Sequence, residues 1–452
     1  MPTNNVSQLL ITPLKPALIQ GMAQKLHVLV RIQAPDPDPA NKVERKPYHL
    51  SLVIDRSGSM SGDPLIEAVR CAKYIVDQLD PNDLASLVVF DNNIRILADA
   101  VAVGDRKHLH RALSQIRPGG NTNLYGGWKS GMESLLPKAT ESALARVILL
   151  SDGNANEGET TETDAIASYC ADAATKGVTT STYGLGRDFN EQLMVEMGKR
   201  GAGNHYYGDT AADLFEPFAE EFDLISNLYA RHVRLSLAAP QGVKITLIND
   251  YPVEERDGFP LIRLPDIPWG AEAWALVELE IPAGLALESG NQILQAAVTA
   301  STVDGAPISF QDAAMALKAV SPQAWEALMD DPLVRSRLTE LEAGKFLDQA
   351  RAAAEYGDWD AIQKMIAEAQ KRFADHPWVM EVLSEMADLA KAMDGARFRK
   401  EALYSSGKMS RRLSAKEEML ANLASESSSA SYLRRKKAQG KAQFDNLPDG
   451  TI

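Results

Sequence analysis

Three short polar runs hold the residue types best suited to chemistry. Asp55-Arg56-Ser57-Gly58-Ser59 follows the apolar run LSLVI, which reads as a buried parallel strand ending at a functional edge. Alternating side chains at Asp55, Ser57 and Ser59 converge on one point and offer a carboxylate and two hydroxyls. These are hard oxygen donors, suited to holding a cation rather than to nucleophilic attack. Gly119-Gly120-Asn121-Thr122-Asn123 is a glycine loop delivering a threonine hydroxyl, and Ser151-Asp152-Gly153 places a second carboxylate after a second apolar run. In a doubly wound sheet such loops meet beyond the carboxyl ends of adjacent strands, where ligands usually bind.

D-x-S-x-S, then a threonine in a glycine-rich loop, then S-D-G after an apolar strand, in this order and spacing, resembles the metal-ion-dependent adhesion site of von Willebrand factor type A domains. The resemblance covers roughly 49–228 and departs at none of the metal positions. It implies Mg²⁺ surrounded by Asp55, Ser57, Ser59, Thr122 and Asp152, some directly and some through water; Mn²⁺ and Ca²⁺ are alternatives. Mg²⁺ seeks six oxygens in near-octahedral geometry, and hydroxyls and water leave its charge unneutralised. The expected partner is therefore a protein presenting an Asp or Glu carboxylate. Asn123, Tyr125, Asn156 and Glu157 are the candidate partner contacts, with loop shaping and a solvated acidic loop as the alternatives.

Two further readings stand beside this non-enzymatic one. The first is a Mg²⁺-dependent hydrolase of phosphate esters, since Asp-ended strands also build such enzymes. Against it, Ser57 rather than an aspartate lies two residues after Asp55, and no G-x-x-x-x-G-K-[ST] loop occurs. The second is a structural protein whose metal site is idle and whose binding runs through other parts of the chain. Gly184-Leu185-Gly186 lacks the third glycine of a dinucleotide fingerprint, and His108, His110 and His205 show no zinc spacing. Trp269, Trp274, Trp359 and Trp378 read as core.

The elements that must position these loops alternate strand and helix: strand 49–55, a helix from Pro64 to Leu79, strand 84–90, extended 94–103, helices 106–116 and 125–136, strand 147–150, helix 163–176, strand 178–184, helix 189–199, a short strand near 203–207 and helix 211–228. From Arg231 the period becomes two, as in an antiparallel sandwich. The run from Lys25, with Leu26, Val28, Val30 and Ile32, reads as one more strand with one buried face. The fold expected is multidomain: 18–47 and 230–310 forming a β-sandwich, a Rossmann-like α/β domain at 48–229 inserted in it, helical hairpins similar to tetratricopeptide units at 322–410, and a flexible basic tail at 411–452.

At 452 residues the chain is too long for one ordinary core. Its two cysteines, Cys71 and Cys170, are too few for a disulfide framework, and no long apolar span or basic-then-apolar start appears, so a soluble, cytoplasmic protein is expected. A layout of sandwich plus type A domain is similar to bacterial proteins labelled calcium-activated chloride channels, but a chain without a spanning segment forms no channel by itself. The net charge of −14 argues against nucleic acid as a partner of the body. Between Ala396 and Lys441, however, 12 basic residues face 4 glutamates, so only the tail is suited to an anionic partner. Self-association through Asp445 or Asp449, in FDNLPDG, with the metal site of another copy is a further expectation.

Overall fold

The computed structural model describes residues 6–36, 47–139, 144–185, 190–208, 228–256, 259–284, 292–303, 305–411 and 414–415. The apolar runs form the central layer of an α/β unit. Tyr48–Asp55 pairs in parallel with Leu84–Phe90 on one side and Leu144–Ser151 on the other. Val178–Leu185 and Ala202–Gly208 continue the parallel sheet, while Ile94–Ala102 closes the opposite edge antiparallel. Taken in chain order, the six strands lie 3-2-1-4-5-6, the order of a doubly wound, Rossmann-like sheet with its third strand reversed. The winding direction switches between the first and fourth strands, so their carboxyl ends, at Asp55 and Ser151, flank the crevice where such sheets bind ligands.

Both faces are covered, which is why these strands are apolar throughout. Leu50, Leu52 and Ile54 pack with Leu65, Ile75 and Leu109 from helices Asp63–Gln78 and Lys107–Ser114. Val53, Val88 and Leu149 face Trp128, Ile166 and Leu193 from helices Leu124–Leu135, Thr163–Thr175 and Glu191–Arg200. Gly131 lets its helix settle onto the sheet, since a Cβ there would lie 2.3 Å from Val53 Cγ2.

Two antiparallel sheets form the β region. Gln24–Gln33 pairs along its whole length with Ala271–Ile281, flanked by Gln8–Pro13 and Lys244–Leu247. In the other sheet, Leu228–Ala238 lies between Phe259–Arg263 and Gln292–Ser301. Val28, Val30, Ala275 and Val277 from the first sheet share one core with Val233, Leu235, Ile293 and Leu294 from the second. The α/β strands fall in the chain between Gln24–Gln33 and Leu228–Ala238.

Several expectations are corrected. The β region starts earlier than 18, at Gln8–Pro13, and runs past 310, because Ala313–Ala316 pairs with Gln292–Ser301 and Lys318–Val320 pairs in parallel with Ala17–Ile19. Gln24–Gln33 is buried on two faces, not one. Leu29, Trp274 and Leu276 lie beneath Val334, Leu338 and Leu341 of helix Pro332–Glu355, and Arg337 stacks over the Trp274 ring at 4.8 Å. Within the segment expected as a tail, Ser414–Ala415 pairs with Ala271 and Glu272. The helix expected at 211–228 falls almost wholly outside the described residues, as do Arg434 to Lys437, Asp445 and Asp449.

Helices Pro332–Glu355, Trp359–Arg372, Pro377–Lys391 and Gly395–Arg411 follow, with Asp331, Asp358 and His376 capping the first three through their side chains. They share one core, including Leu347, Ile366, Leu383 and Phe398. The first and last of these four pack on each other where Gly344 faces Ser406, closing the set rather than leaving an open stack.

Candidate metal centre

Asp55 ends the first α/β strand with no solvent exposure. Its Oδ1 accepts the Ser57 N–H at 2.8 Å and its Oδ2 accepts the Ser151 hydroxyl at 2.6 Å. The chain then tightens into a single 3₁₀ turn at Gly58–Met60, which brings the Ser57 and Ser59 hydroxyl oxygens to 3.1 Å from each other. Ser57 is buried and Ser59 exposed. One residue past the fourth strand, Asp152 Oδ1 accepts the Asn154 N–H at 3.2 Å, and its carbonyl accepts the Asn190 N–H at 2.9 Å. Gly153 adopts φ +68°, a left-handed turn that suits glycine, and donates to Ser151 Oγ at 2.8 Å.

Thr122 is buried between the third loop's backbone and side chains. Its N–H donates to Asn156 Oδ1 at 2.9 Å, and its carbonyl accepts the N–H groups of Asn156 and Glu157 at 3.1 and 3.2 Å. The Gly58 N–H donates to Gly120 O at 2.8 Å, and the Gly119 N–H to Arg56 O at 2.6 Å, tying the first loop to the second. The structure thus brings together the loops carrying all five expected ligands at the carboxyl edge of the sheet.

Asp91, which the sequence reading passed over, braces these loops. Its Oδ2 pairs with Arg56 Nη2 at 2.8 Å and accepts the Gly120 N–H at 3.2 Å, while Oδ1 accepts the Asn93 N–H at 2.6 Å. A Cβ on Gly119 would stand 1.7 Å from Asp91 Oδ2, so the glycine is required by the close approach of that carboxylate. A signal was available: Phe90-Asp91 also ends an apolar strand in a carboxylate. Ser151 was read as part of a motif rather than as the hydroxyl that fixes Asp55, and Asn190 was not singled out.

The carboxylates of the centre and its brace differ in charge preference. Burial, and then the charge of Asp152, pushes the Asp55 carboxyl up to about 6 against the opposing hydrogen bonds of Ser151 and Ser57. Burial alone would also raise Asp91, but the N–H groups of Asn93 and Gly120 and the Arg56 guanidinium hold it below the ordinary range. Two carboxylates close enough to repel, beside three hydroxyls, form an all-oxygen set that fits a hard divalent cation. Among the described residues no group of three or more His, Cys, Asp and Glu is gathered as a metal cage. His110 pairs with Asp77 at 2.8 Å, and buried His205 meets Thr182 Oγ1 at 2.9 Å.

Of the candidate partner contacts, Asn123 caps helix Leu124–Leu135 by accepting the Gly126 N–H at 2.9 Å. Tyr125 is buried against Trp128 and Tyr169. In this conformation both shape the loop instead of offering surface. Asn156 is exposed but its Oδ1 is spent on Thr122, and Glu157 is half-buried. Trp274 and Trp378 are buried, while Trp269 and Trp359 make edge contacts with Tyr229 and Phe398.

The profile of the von Willebrand factor type A domain family matches residues 49–220. The uncharacterised protein sll0103 of Synechocystis is 25% identical over 272 residues, 57% of this chain and 61% of that one. Escherichia coli YfbK, also uncharacterised, is 29% identical over 171 residues, 36% of this chain and 29% of its own length. Inter-alpha-trypsin inhibitor heavy chain H2 of Sus scrofa is 29% identical over 221 residues, 46% of this chain and 23% of that one. The chain therefore spans less than two thirds of each of these relatives. Among solved structures, a von Willebrand factor type A protein of Catenulispora acidiphila shares the fold over 91% of this chain and 98% of its own, with TM-score 0.69 and 14% identity. The ArnB paralog VWA2 of Sulfolobus acidocaldarius does so over 89% and 99%, with TM-score 0.57 and 17% identity. Domains of this family commonly mediate protein–protein interaction and usually bind a divalent metal. With the profile match, the sheet order and the meeting of the three loops in agreement, residues 49–220 are a von Willebrand factor type A domain, and the chain belongs among the proteins built around one.

Proposed function

We propose that the centre holds Mg²⁺ through Asp55, Ser57, Ser59, Thr122 and Asp152, and that it binds a carboxylate of a partner protein without catalysing a reaction. The observation that carries this reading is the buried Asp55 carboxyl, raised by Asp152 and set beside the Ser57 and Ser59 hydroxyls. Two carboxylates balance a divalent charge only partly once hydroxyls fill the other positions, so a bound cation there supplies an electrophilic point for an incoming Asp or Glu. Ser57 and Thr122 are enclosed and serve as fixed donors, while exposed Ser59 marks the open side from which a partner approaches. The Asp91–Arg56 brace and the Asn156 contact hold the donor loops in place, limiting the ordering cost on binding.

The described residues include no helix long and apolar enough to cross a membrane, and the reading requires none. The division into a β-sandwich with an inserted type A domain and a helical end belongs to the same proposal, with the β and helical parts as frame and second docking surface. Hydrolysis of phosphate esters has no observation in its favour. The test is a pull-down from native lysate with wild type and Asp55→Ala plus Ser57→Ala, each with Mg²⁺ or EDTA. A partner captured only by the intact site with Mg²⁺ supports the reading; the same partners in every condition, with a folded variant, would move binding to the β or helical parts.

A further inference from the structure

Where strand Leu228–Ala238 leaves the α/β unit, Leu228 packs in the α/β core and Ala230 already lies in the β core. Arg231 stands at this junction, 4% exposed. Its Nε is wholly enclosed with no hydrogen-bond partner, and among the described residues no Asp or Glu forms an ion pair with it. The neighbouring acids are already committed. Glu254 takes Arg234 at 2.9 Å and lies 3.7 Å from Arg263, and Asp266 Oδ1 accepts the His232 N–H at 3.0 Å.

Other cations crowd the same place. Arg146, 6% exposed and hydrogen-bonded to Thr179 Oγ1 at 2.9 Å, is near enough for its charge to oppose that of Arg231. Burial, and then Arg234 and Arg146 respectively, draws both Arg263 and Arg231 below the usual guanidinium range, with Asp266 opposing. The backbone is itself forced here: His232 has φ +54°, and the pairing with Gln292–Ser301 slips between Arg231 and Arg234. An ionised guanidinium with no counter-charge is among the costliest groups to enclose, and a strained strand that turns it inward needs compensation.

We propose that Arg231, flanked by Arg146, is the anchor of a binding site for a small tetrahedral oxyanion of the phosphate class, at the junction of the α/β unit and the β region. The guanidinium fork matches two phosphate oxygens at once, and Nε is one of the donors such a bidentate pair employs. Bound there, the anion supplies the counter-charge and ties the strand leaving the α/β unit to the β core. The site is separate from the candidate metal centre, since Arg146 lies near the amino end of the strand whose carboxyl end is Ser151.

The test uses the full chain with inorganic phosphate, and sulfate in parallel, against chloride at matched ionic strength, read by isothermal titration calorimetry and thermal unfolding. Wild type is expected to bind one phosphate per chain and to gain about 1–3 °C in melting midpoint at about ten times the dissociation constant. Arg231→Met should lose at least tenfold in affinity, melt no lower than wild type in chloride, and show no phosphate response; Arg231→Lys, which keeps the charge without the fork, should retain a weakened response. Absence of phosphate or sulfate binding to wild type up to about 10 mM, or undiminished binding in both variants, would overturn the site. If Arg231→Met does not fold, Arg231→Lys decides alone: an unchanged phosphate affinity refutes the proposal. Phosphate binding needs no Mg²⁺, so its outcome is independent of the metal-site reading.

Discussion

Replacing Asp55 by Asn separates the cost of the candidate metal centre from its use. The carboxyl rises from 3.8 to about 6 on folding, mainly through burial and then through Asp152. At about 1.4 kcal/mol per unit, an ionised Asp55 without a cation lowers stability by about 3 kcal/mol near neutral pH. A group with a raised folded value binds its proton more tightly in the folded state. Its destabilisation is thus complete above about pH 6 and relieved as pH falls toward 3.8, with about 1–1.5 kcal/mol regained between about pH 7.5 and pH 5. Asn keeps an acceptor for the Ser57 N–H but disturbs the Ser151 hydroxyl bond, a loss of about 1 kcal/mol. In EDTA at about pH 7.5 the variant should therefore be more stable than wild type by about 2 kcal/mol. That advantage should shrink by about half or more at pH 5. Mg²⁺ should reverse the order, stabilising wild type and leaving the variant unmoved. Urea unfolding at both pH values, with and without Mg²⁺, measures all four quantities, and the difference between the two proteins cancels other titrating groups. A variant less stable than wild type in EDTA at neutral pH, or a difference that does not change with pH, would refute the reasoning.

Gly119→Ala should displace Asp91 from Arg56 and Gly120 and weaken Mg²⁺ binding at least tenfold, read by calorimetry with Mg²⁺ or Mn²⁺, because a Cβ at 1.7 Å from Asp91 Oδ2 leaves that carboxylate no room. Burial holds the His205 imidazole down to about 3, assisted by the Arg411 charge. The unfolded chain takes up this proton as pH falls through 6.5, so stability is full above that value and lost progressively down to about 3. His205→Gln should remove about 2 kcal/mol of the loss between about pH 7.5 and pH 5, measured by urea unfolding in excess Mg²⁺.

The α/β unit was readable because both of its codes are local. The run LASLVVF at Leu84–Phe90 needs neighbours on two faces, and its bounds were read without error. Asp55, Thr122 and Asp152 each follow a strand or glycine loop that announces itself, so their convergence could be argued before any coordinates existed. Distant neighbours are not written locally. Leu29 and Arg31 looked like the exposed half of an alternating strand because the helix that covers them, Pro332–Glu355, begins about three hundred residues later. Gln8–Pro13, QLLITP, has too short a pattern to declare itself, and only its hairpin with Gln24–Gln33 reveals it. Asp91 resembles any turn aspartate until Arg56 and Gly120 arrive from other loops.

The long ladder between Gln24–Gln33 and Ala271–Ile281 sets an order of events during synthesis. Gln33 and Glu272, joined side chain to side chain at 2.9 Å, stand 239 residues apart. A ribosome therefore exposes Leu26, Val28, Val30 and Ile32 well before the partner strand exists. All strands of the α/β sheet lie between Tyr48 and Gly208, so that unit has the contacts to condense in the interval, while the first β-strand waits. The waiting strand, KLHVLVRI, combines β-branched and apolar residues with no proline and few charges, the composition that favours pairing with other nascent copies. Slowing translation between Gly208 and Ile281 should thus lower soluble yield more than slowing it after Arg411, a consequence of where one strand's partner is encoded.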